Sequence, residues 1–460
     1  MGQIVAALDL GTSKTIAFVA QKELGKLSVL RTETFFSEKA IRRGRVYNSD
    51  KTSDIISRVI RKLNDNPNLQ IEKIYVGIGG QSLHTQPLIV RKLVEEGMIS
   101  QQLLESIKEE ANNHFPEFDE NLGAFSCEYY IDGKLVSNPK GMKASTIEAK
   151  FQLVVGNACL KRNLENIFKE KDITVAGYYI SPLATAEAVL TPEEKEKGCA
   201  LLEWGEGVTY ISIYKKKLLK YLVTLPLGGL TITKDIRSLN VSEEEAEALK
   251  IKYGSAISES IEGGNVSVDE DQSSSRKIGL KDLNWIIEAR VDEIVKNIWN
   301  LIQIAGYSRL LDAGIVITGG GALLRDLPHF IQNQTEKEVR LANAKVWIDQ
   351  IETQLSPASS CVVGLAIMGK ENCGKEIKEK VQPSLFGQEE LREMGQKSGK
   401  NQGRSPGSPP KSNEVGTFKK IRDLLFDKGA KIVDKGTNLF TDDDFDNAAA
   451  QQTDKDDAVN

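Results

Sequence analysis

The sequence predicts an α/β protein with two related core domains that face each other. Two hairpins of similar design open the two halves of the folded region, and a glycine-rich turn follows a buried strand near its end. Residues 6–19 (AALDLGTSKTIAFV) and 200–213 (ALLEWGEGVTYISI) each combine a strand, an acidic residue-x-Gly turn and a second strand. Apolar runs bounded by such turns are typical of buried strands. The repeat favours a duplicated core, although two unrelated hairpins would give the same pattern.

The third element is the glycine-rich turn. Residues 314–318 (GIVIT) have the pattern of a buried strand, and residues 319–322 (GGGA) follow them. We expect the glycines to open a helix that runs through Leu323, Leu324 and Leu327. Glycine lets a ligand approach the backbone closely at a helix N-terminus. A glycine triplet by itself is more often a tight turn, but after two such hairpins it indicates a nucleotide site.

Composition excludes several classes of protein. The chain has 460 residues, 27% of them charged, and a formal net charge of −5, which is not the basic footprint of a general nucleic-acid binder. Five scattered cysteines indicate reduced thiols rather than a disulfide framework. The three histidines lie far apart, so a structural zinc site is not expected. We also expect neither a signal peptide nor a membrane-spanning segment, because no apolar run approaches about 20 residues.

The composition changes sharply near Cys373. A Gly/Ser/Pro-rich stretch at 397–416 is typical of a flexible linker. Residues 417–433 then have helical apolar spacing, which indicates an interfacial helix attracted to anionic lipid. Its alternative is a short helix that docks on the protein itself or on a partner. The residues expected to contact the membrane are Phe418, Lys419, Lys420, Ile421, Leu424 and Leu425.

These motifs resemble the actin-like superfamily, and within it the FtsA family of bacterial cell-division proteins. Residues 9–14 (DLGTSK), 203–209 (EWGEGVT) and 318–322 (TGGGA) resemble its two phosphate motifs and its adenosine motif. Residues 75–80 (YVGIGG) and 226–229 (PLGG) match the family more specifically. The resemblance covers roughly residues 4 to 369. It implies an actin-like, two-lobed α/β fold with duplicated core domains, an FtsA-type insertion called subdomain 1C, and a disordered C-terminal tail.

The resemblance also implies a domain organisation. Subdomain 1A comprises residues 1–81 and 162–190, closed by about 345–372, and subdomain 1C is the insertion 82–161. Subdomain 2A comprises 191–225 and 302–344, and subdomain 2B comprises 226–301. A flexible linker (373–416), an amphipathic membrane-targeting helix (417–433) and an acidic tail (434–460) follow. The family's targeting helix normally ends the chain, so the acidic tail is a departure.

The implied ligands are ATP and Mg²⁺. Backbone amides at the two turns would form concave nests for phosphate, and Lys14 would add a positive charge. Asp9 and Glu203 are the implied catalytic residues, with Asp9 also holding Mg²⁺ through water. Glu247 and Lys250 would contact ribose and base, and the alternative for this pair is a solvated ion pair one helical turn apart. The full set of expected ATP-binding residues is Gly11, Thr12, Ser13, Lys14, Gly205, Gly207, Thr209, Glu247, Lys250, Gly319, Gly320 and Gly321.

The second phosphate motif departs from the family pattern Asp-x-Gly-Gly-Gly-Thr, which is often followed by another Asp. Here Glu203 replaces the first Asp, Glu206 a glycine, Val208 the threonine and Tyr210 the later Asp. Glutamate is one methylene longer than aspartate, and a displacement of about 1 Å can cost a catalytic group on the order of 100-fold. We therefore expect ATP binding with weak or no ATPase activity.

The resemblance implies several partners. They are the tubulin-like protein FtsZ through subdomain 2B, further copies of this chain in a filament, other division proteins through subdomain 1C, and anionic inner-membrane lipid through the C-terminal helix. The implied location is the cytoplasmic side of the inner membrane at the division site, as a peripheral protein. Two alternatives share the fold, namely a PilM-like scaffold that binds a partner's peptide and an enzyme of the sugar-kinase or exopolyphosphatase type.

Overall fold

The architecture is that of a computed structural model, which describes residues 2–65, 69–117, 119–267 and 276–376. The strands are β1 (Gln3–Leu10), β2 (Lys14–Glu23), β3 (Lys26–Phe36), β4 (Ile41–Arg42), β5 (Arg45–Val46), β6 (Leu69–Ile71), β7 (Lys73–Ile78), β8 (His84–Leu93), β9 (Glu120–Ile131), β10 (Lys134–Val136), β11 (Thr146–Gly156), β12 (Thr174–Ile180), β13 (Cys199–Trp204), β14 (Thr209–Lys215), β15 (Leu218–Leu225), β16 (Asn265–Ser267), β17 (Lys277–Gly279), β18 (Ile315–Thr318), β19 (Val339–Leu341), β20 (Lys345–Ile348), β21 (Ile351–Gln354) and β22 (Gly374–Glu376). The helices are α1 (Ser49–Leu63), α2 (Gln101–Asn112), α3 (Cys159–Glu170), α4 (Ser181–Val189), α5 (Pro192–Lys197), α6 (Gly229–Ile236), α7 (Glu243–Tyr253), α8 (Leu280–Ile304), α9 (Leu327–Thr335) and α10 (Ser360–Met368).

Two sheets organise these elements, and their cores have the same topology. The first sheet has the order β12-β7-β1-β2-β3-β20-β21, and the second contains β15-β14-β13-β18-β19. In both, the strand with the acidic residue pairs antiparallel with the next strand and parallel with a later one. A further parallel strand follows at the edge, β12 beside β7 and β19 beside β18. The duplicated core predicted from the two hairpins is therefore confirmed.

Helices α4 and α10 cross between the sheets. Helix α10 packs on β1, β2 and β7 of the first sheet, and α4 contacts β7 and β12 of the first sheet and β13 and β14 of the second. Most residues of both helices are buried, as expected for helices that are apolar on every side. At the crossing, a Cβ added at Gly364 would lie only 1.8 Å from the carbonyl oxygen of Ala184. Only glycine allows the two backbones to approach this closely.

The predicted insertion forms a small sheet with its own core. Strands β10-β9-β11-β8 are joined in that order, and α2 packs against β8, β9 and β11. The insertion sheet then continues into the second sheet, because His84 of β8 pairs with Val223 of β15. Thr85 Oγ1 accepts a hydrogen bond from Leu222 N (3.0 Å), and Thr224 Oγ1 donates to Leu83 O (2.8 Å). The insertion is thus attached to the second sheet as well as to the chain that carries it.

The C-terminal end of the described chain differs from the predicted linker. The linker was expected to begin at Cys373, but Cys373 is buried and its amide donates to Ile4 O (2.7 Å). Strand β22 then pairs antiparallel with β6, so residues 373–376 belong to the folded part. The rest of the predicted linker, the helix 417–433 with its membrane-contacting residues, and the acidic tail 434–460 lie outside the described residues. Within the described ranges, no helix is both long and apolar enough to cross a membrane.

The close crossing makes Gly364 a sensitive position. We expect Gly364→Ala to lower the free energy of unfolding by about 3 kcal/mol or more, because the new methyl group would collide with backbone rather than with a flexible side chain. Helix propensity alone predicts the opposite sign, a gain of about 1 kcal/mol. Chemical denaturation measures the difference. Gly263→Ala is the control, since its Cβ would approach only the Cε of Lys281 at 3.7 Å, and a loss no larger than that of the control would contradict the prediction.

Candidate functional site

The two hairpin turns have the same hydrogen-bonded geometry. Gly11 N donates to Lys14 O (3.0 Å), and Gly205 N donates to Val208 O (2.9 Å). In each turn a Cβ on the glycine would lie within 3.0 Å of that carbonyl oxygen, so the turns are too tight for a side chain there. Among the described residues, no protein group accepts a hydrogen bond from the amides at the tips. These amides belong to Thr12, Ser13, Glu206 and Gly207.

The fold brings the two tips into contact. A Cβ added at Gly207 would lie 2.6 Å from Thr12 Oγ1 and 3.2 Å from the Cα of Arg43. Thr12 Oγ1 accepts a hydrogen bond from Gly44 N (3.1 Å), which fixes the first tip against the turn between β4 and β5. The tip amides of the two hairpin turns therefore lie close together, at the ends of β1 and β13. Lys14, which follows the first tip, is exposed.

Two carboxyl groups lie at the base of the turns. Asp9 is the last residue but one of β1, and Glu203 is the last residue but one of β13. Burial raises the pKa of Asp9 to about 6 and that of Glu203 to about 8. The negative charge of Asp9 adds to the shift at Glu203. Cys361 Sγ donates to Asp9 Oδ1 at 3.3 Å. Glu203 Oε2 is buried without a hydrogen-bond partner in the described part of the chain, so it is an acceptor that a cation or a water molecule would satisfy.

Glu247 and Lys250 form an ion pair on α7 that lies against α6. Lys250 Nζ is 2.6 Å from Glu247 Oε2, and it also donates to Gly229 O (2.9 Å) and Thr233 Oγ1 (2.7 Å). The ion pair considered as the alternative is therefore present, with the Lys250 side chain 11% exposed and the Glu247 side chain 39% exposed. Gly229 N in turn donates to Gly205 O (3.0 Å). The pair is therefore linked to the second turn by two hydrogen bonds, through Gly229.

A third carboxyl group, that of Glu206, lies at the second hairpin turn and interacts electrostatically with Glu247 and Lys250. Burial raises the pKa of Glu206, and Glu247 raises it further, while Lys250 and Lys14 act in the opposite direction. The backbone carbonyl of Glu206 accepts from Leu230 N (2.9 Å), the second residue of α6. The second hairpin turn is thus hydrogen-bonded to the N-terminal end of helix α6. Gly228 is required there, because a Cβ would lie 2.6 Å from the carbonyl oxygens of both Gly205 and Glu206.

Thr209 lies apart from its predicted position among the phosphate donors. It is buried, opposite Trp204 in the β13–β14 pair, and its hydroxyl donates to Leu227 O at 2.9 Å. The alternation of side chains along a strand explains the difference, since Thr209 and Tyr210 must point to opposite faces of the sheet. The Thr209 hydroxyl is therefore engaged within the second sheet's own packing.

The glycine triplet follows β18 and lies on Trp204. Gly319 has a φ of 92°, and a Cβ there would lie 2.5 Å from Trp204 O, whereas a Cβ at Gly321 would lie 2.3 Å from Trp204 Cδ1. The expectation that these glycines open one helix through Leu327 is wrong. Residues Gly320–Leu323 form a single 3₁₀ turn, and α9 begins only at Leu327 because Asp326 adopts a left-handed conformation (φ 61°). The triplet nevertheless lies next to the second turn, through Trp204.

Several residues of the site are not among the predicted site residues. Cys361 and Ser181 stand at the starts of α10 and α4, and both lie next to the acidic pair, with Cys361 Sγ 3.9 Å from Ser181 O. A Cβ added at Gly77 would lie 2.6 Å from Ser181 Oγ and 3.6 Å from Asp9 Oδ1, so the end of β7 is equally close. These contacts join positions far apart in sequence, and only the fold reveals them.

Comparison with known proteins agrees with this architecture. Residues 200–364 match the family model described as cell division protein FtsA. The chain is 34% identical over 364 residues to cell division protein FtsA of Porphyromonas gingivalis, covering 77% of this chain and 74% of the relative. It is 27% identical over 375 residues to cell division protein FtsA of Neisseria meningitidis, covering 78% and 89%.

A solved structure, the PilM–PilN type IV pilus biogenesis complex, superposes with a TM-score of 0.56. The two chains are 14% identical, and the match covers 79% of this chain and 98% of that one. A likeness at this level of identity shows the fold alone. It confirms the predicted actin-like α/β fold.

The buried carboxyl of Glu203 predicts how stability depends on pH in the nucleotide-free protein. The pKa of Glu203 rises from 4.5 to about 8 on folding, so the folded state favours the protonated carboxyl. The contribution of this group to the free energy of unfolding is therefore lost as pH rises from about 5 to 8. We expect Glu203→Gln to be more stable than the parent by about 2 kcal/mol or more at pH 8, since one pKa unit corresponds to roughly 1.4 kcal/mol.

Urea denaturation at pH 5 and pH 8 measures this effect. The difference between variant and parent should shrink at pH 5, where the parent carboxyl is protonated. Glu262→Gln, at an exposed position, should show no such change with pH. A Glu203→Gln variant that is less stable than the parent at pH 8 would show that the carboxylate is favoured in the fold.

Proposed function

Because this chain belongs to the FtsA family of cell division proteins, we propose that it is an actin-like ATP-binding protein that polymerises on the inner face of the cytoplasmic membrane. There it tethers FtsZ filaments and so takes part in assembling the division ring. Family membership and the fold establish the class of protein. The proposal adds the ligand, the membrane and the individual partners.

The observation that carries the nucleotide proposal is that two touching turns carry four amides with no hydrogen-bond acceptor among the described residues. Backbone amides that point into one concavity are a common phosphate site, and here they come from both halves of a duplicated core. In this proposal the amides at the tips bind the β- and γ-phosphates, and Lys14 adds a charge-assisted contact. Gly320 is open, with Ala358 Cβ 3.8 Å from an added Cβ, so the adenosine would lie over the triplet and towards Lys250.

The acidic pair fits a bound Mg²⁺. Glu203 Oε2 has no hydrogen-bond partner among the described residues, and Asp9 accepts a hydrogen bond from a weak thiol donor, so both carboxyls have oxygen atoms to offer a cation or its waters. The described residues contain no cluster of three or more metal-binding side chains. An octahedral Mg²⁺ would take its remaining oxygens from phosphate and water, as it commonly does at nucleotide sites. When bound, the ion would neutralise phosphate charge, and Asp9 and Glu203 would hold it in place.

The same residues favour slow hydrolysis. A general base must be ionised in order to accept a proton, but burial raises the pKa of Glu203 to about 8, so this carboxyl is largely protonated near neutral pH. Glu206 brings a second carboxyl with a raised pKa to the second turn. Both features oppose an accumulation of negative charge beside a terminal phosphate. ATP would therefore act mainly as a ligand that joins the two halves of the core. No separate observation favours the peptide-binding scaffold or the sugar-kinase type of enzyme.

The membrane proposal comes from the C-terminal sequence. Phe418, Ile421, Leu424 and Leu425 would lie in the interface, with Lys419 and Lys420 at the anionic headgroups. One short helix binds weakly, but a polymer presents many copies at a high effective concentration. Within the folded part, residues 226–301 would contact FtsZ, and the insertion 82–161 would contact other division proteins. A heterologous contact between copies of this chain would generate the filament.

Nucleotide binding is tested at Lys14, which is exposed and so can be changed without disturbing the core. We expect Lys14→Met to weaken Mg²⁺–ATP binding about tenfold, because one charge-assisted hydrogen bond is lost, and to leave adenosine binding unchanged. Isothermal titration calorimetry measures both ligands. Lys51→Met, on the surface of α1, is the control. Absence of ATP binding by the parent protein, or rapid turnover that depends on Asp9, would contradict the proposal.

Membrane binding is tested by co-sedimentation of the full chain with vesicles of anionic and zwitterionic phospholipid. We expect pelleting with the anionic vesicles, loss of pelleting after truncation at Gly416, and a decrease with added salt because the attraction is partly electrostatic. Removal of residues 434–460 alone is the matched control and should leave pelleting intact. Pelleting that survives the longer truncation would show that the helix is not the anchor.

A further inference from the structure

Tyr210 connects the two sheets at the site. It is the second residue of β14, it lies directly opposite Glu203 in the β13–β14 pair, and it is buried. Its phenol reaches the first sheet, where the hydroxyl accepts a hydrogen bond from Gly80 N at 2.7 Å. Gly80 follows β7. This side chain therefore joins the strand after the second turn to the loop that leaves the first sheet.

Glycines of two separate loops enclose the hydroxyl. A Cβ added at Gly79 would lie 2.5 Å from Tyr210 Oη, and one at Gly44 would lie 2.8 Å from it. Gly44 and Gly80 also have positive φ angles, 72° and 145°, which side-chain-bearing residues rarely adopt. Neither Gly44 nor Gly79 could carry a side chain while the phenol occupies this place. The loops are shaped around Tyr210.

The same loops hold the first turn. Gly44 N donates to Thr12 Oγ1, and Gly207 of the second turn packs against Thr12 and Arg43. Tyr210 thus lies beside the point where the two tips meet. The hydroxyl remains protonated, since burial raises the Tyr210 pKa well above its usual value. It therefore acts as a neutral hydrogen-bonding group.

We propose that Tyr210 is a positioning residue, an interlobe latch that holds the second turn against the first sheet and must open for a nucleotide to enter or leave. The inference rests on the proposed nucleotide site and concerns its kinetics. If the latch is closed in both the free and the nucleotide-bound protein, its removal lowers the free-energy barrier both to nucleotide entry and to nucleotide release. Association and dissociation rates then rise together, and the dissociation constant changes little.

The test is Tyr210→Phe, which keeps the ring and removes only the hydroxyl. In stopped-flow measurements with a fluorescent ATP analogue and Mg²⁺, we expect both rates to rise about tenfold, which is the effect of losing one buried hydrogen bond. Hydrogen exchange at the Gly80 amide should accelerate by a similar factor in the nucleotide-free protein. Tyr214→Phe is the matched control. Tyr214 is a buried tyrosine on the same face of β14 with no hydroxyl hydrogen bond among the described residues, so neither quantity should change.

The outcomes separate the latch from the nucleotide site. Unchanged rates together with an unchanged Gly80 amide overturn the latch. A weaker affinity that arises only from faster dissociation also overturns it, because that result means that Tyr210 contacts the nucleotide itself. If the parent protein binds no ATP, the proposed function fails, and exchange at the Gly80 amide alone then decides whether Tyr210 holds the two sheets together.

Discussion

The close crossing of α4 and α10 is the constraint on which the rest of the site depends. Gly364 approaches Ala184 so closely that the two helices are in backbone contact. Ser181 is the first residue of α4 and Cys361 the second residue of α10, so the crossing also sets the positions of both helix N-termini. These termini surround Asp9, which accepts from Cys361 Sγ. A change in the crossing would therefore move the base of the site before it affected any residue at the turns.

The electrostatics of the site follow from this packing. Asp9, Glu203 and Glu206 all have raised pKa values, and burial is the largest cause in each case. Keeping several buried carboxyls near one another opposes stability in the nucleotide-free protein at neutral pH. Such an arrangement is common where a cation will bind, since the ion removes the penalty. The free amides nearby would favour an anion. Together they suit a ligand that carries both kinds of charge, as a metal–nucleotide complex does.

Local patterns predicted part of this structure well. Both hairpins follow from apolar runs on either side of a tight glycine turn, features that depend on only about ten consecutive residues each. The same approach failed at residues 320–327, because the left-handed conformation of Asp326 has no sequence signal and interrupts the expected helix. It also misplaced Thr209, whose direction depends on the strand register. Tyr210, Cys361 and Gly364 could not have been found this way, since their partners lie 130 or more residues away in sequence.

The insertion adds a second connection between the two sheets. It leaves the first sheet after β7 and returns through α3 to β12, yet its strand β8 also pairs with β15 of the second sheet. The Lys220–Glu128 ion pair lies beside this seam with both side chains largely buried (15% and 25% exposed). Any motion that separates the two turns must either carry the insertion with the second sheet or break this pairing. The orientation of the insertion is therefore mechanically linked to the opening of the site, through contacts that are far from the nucleotide residues in sequence.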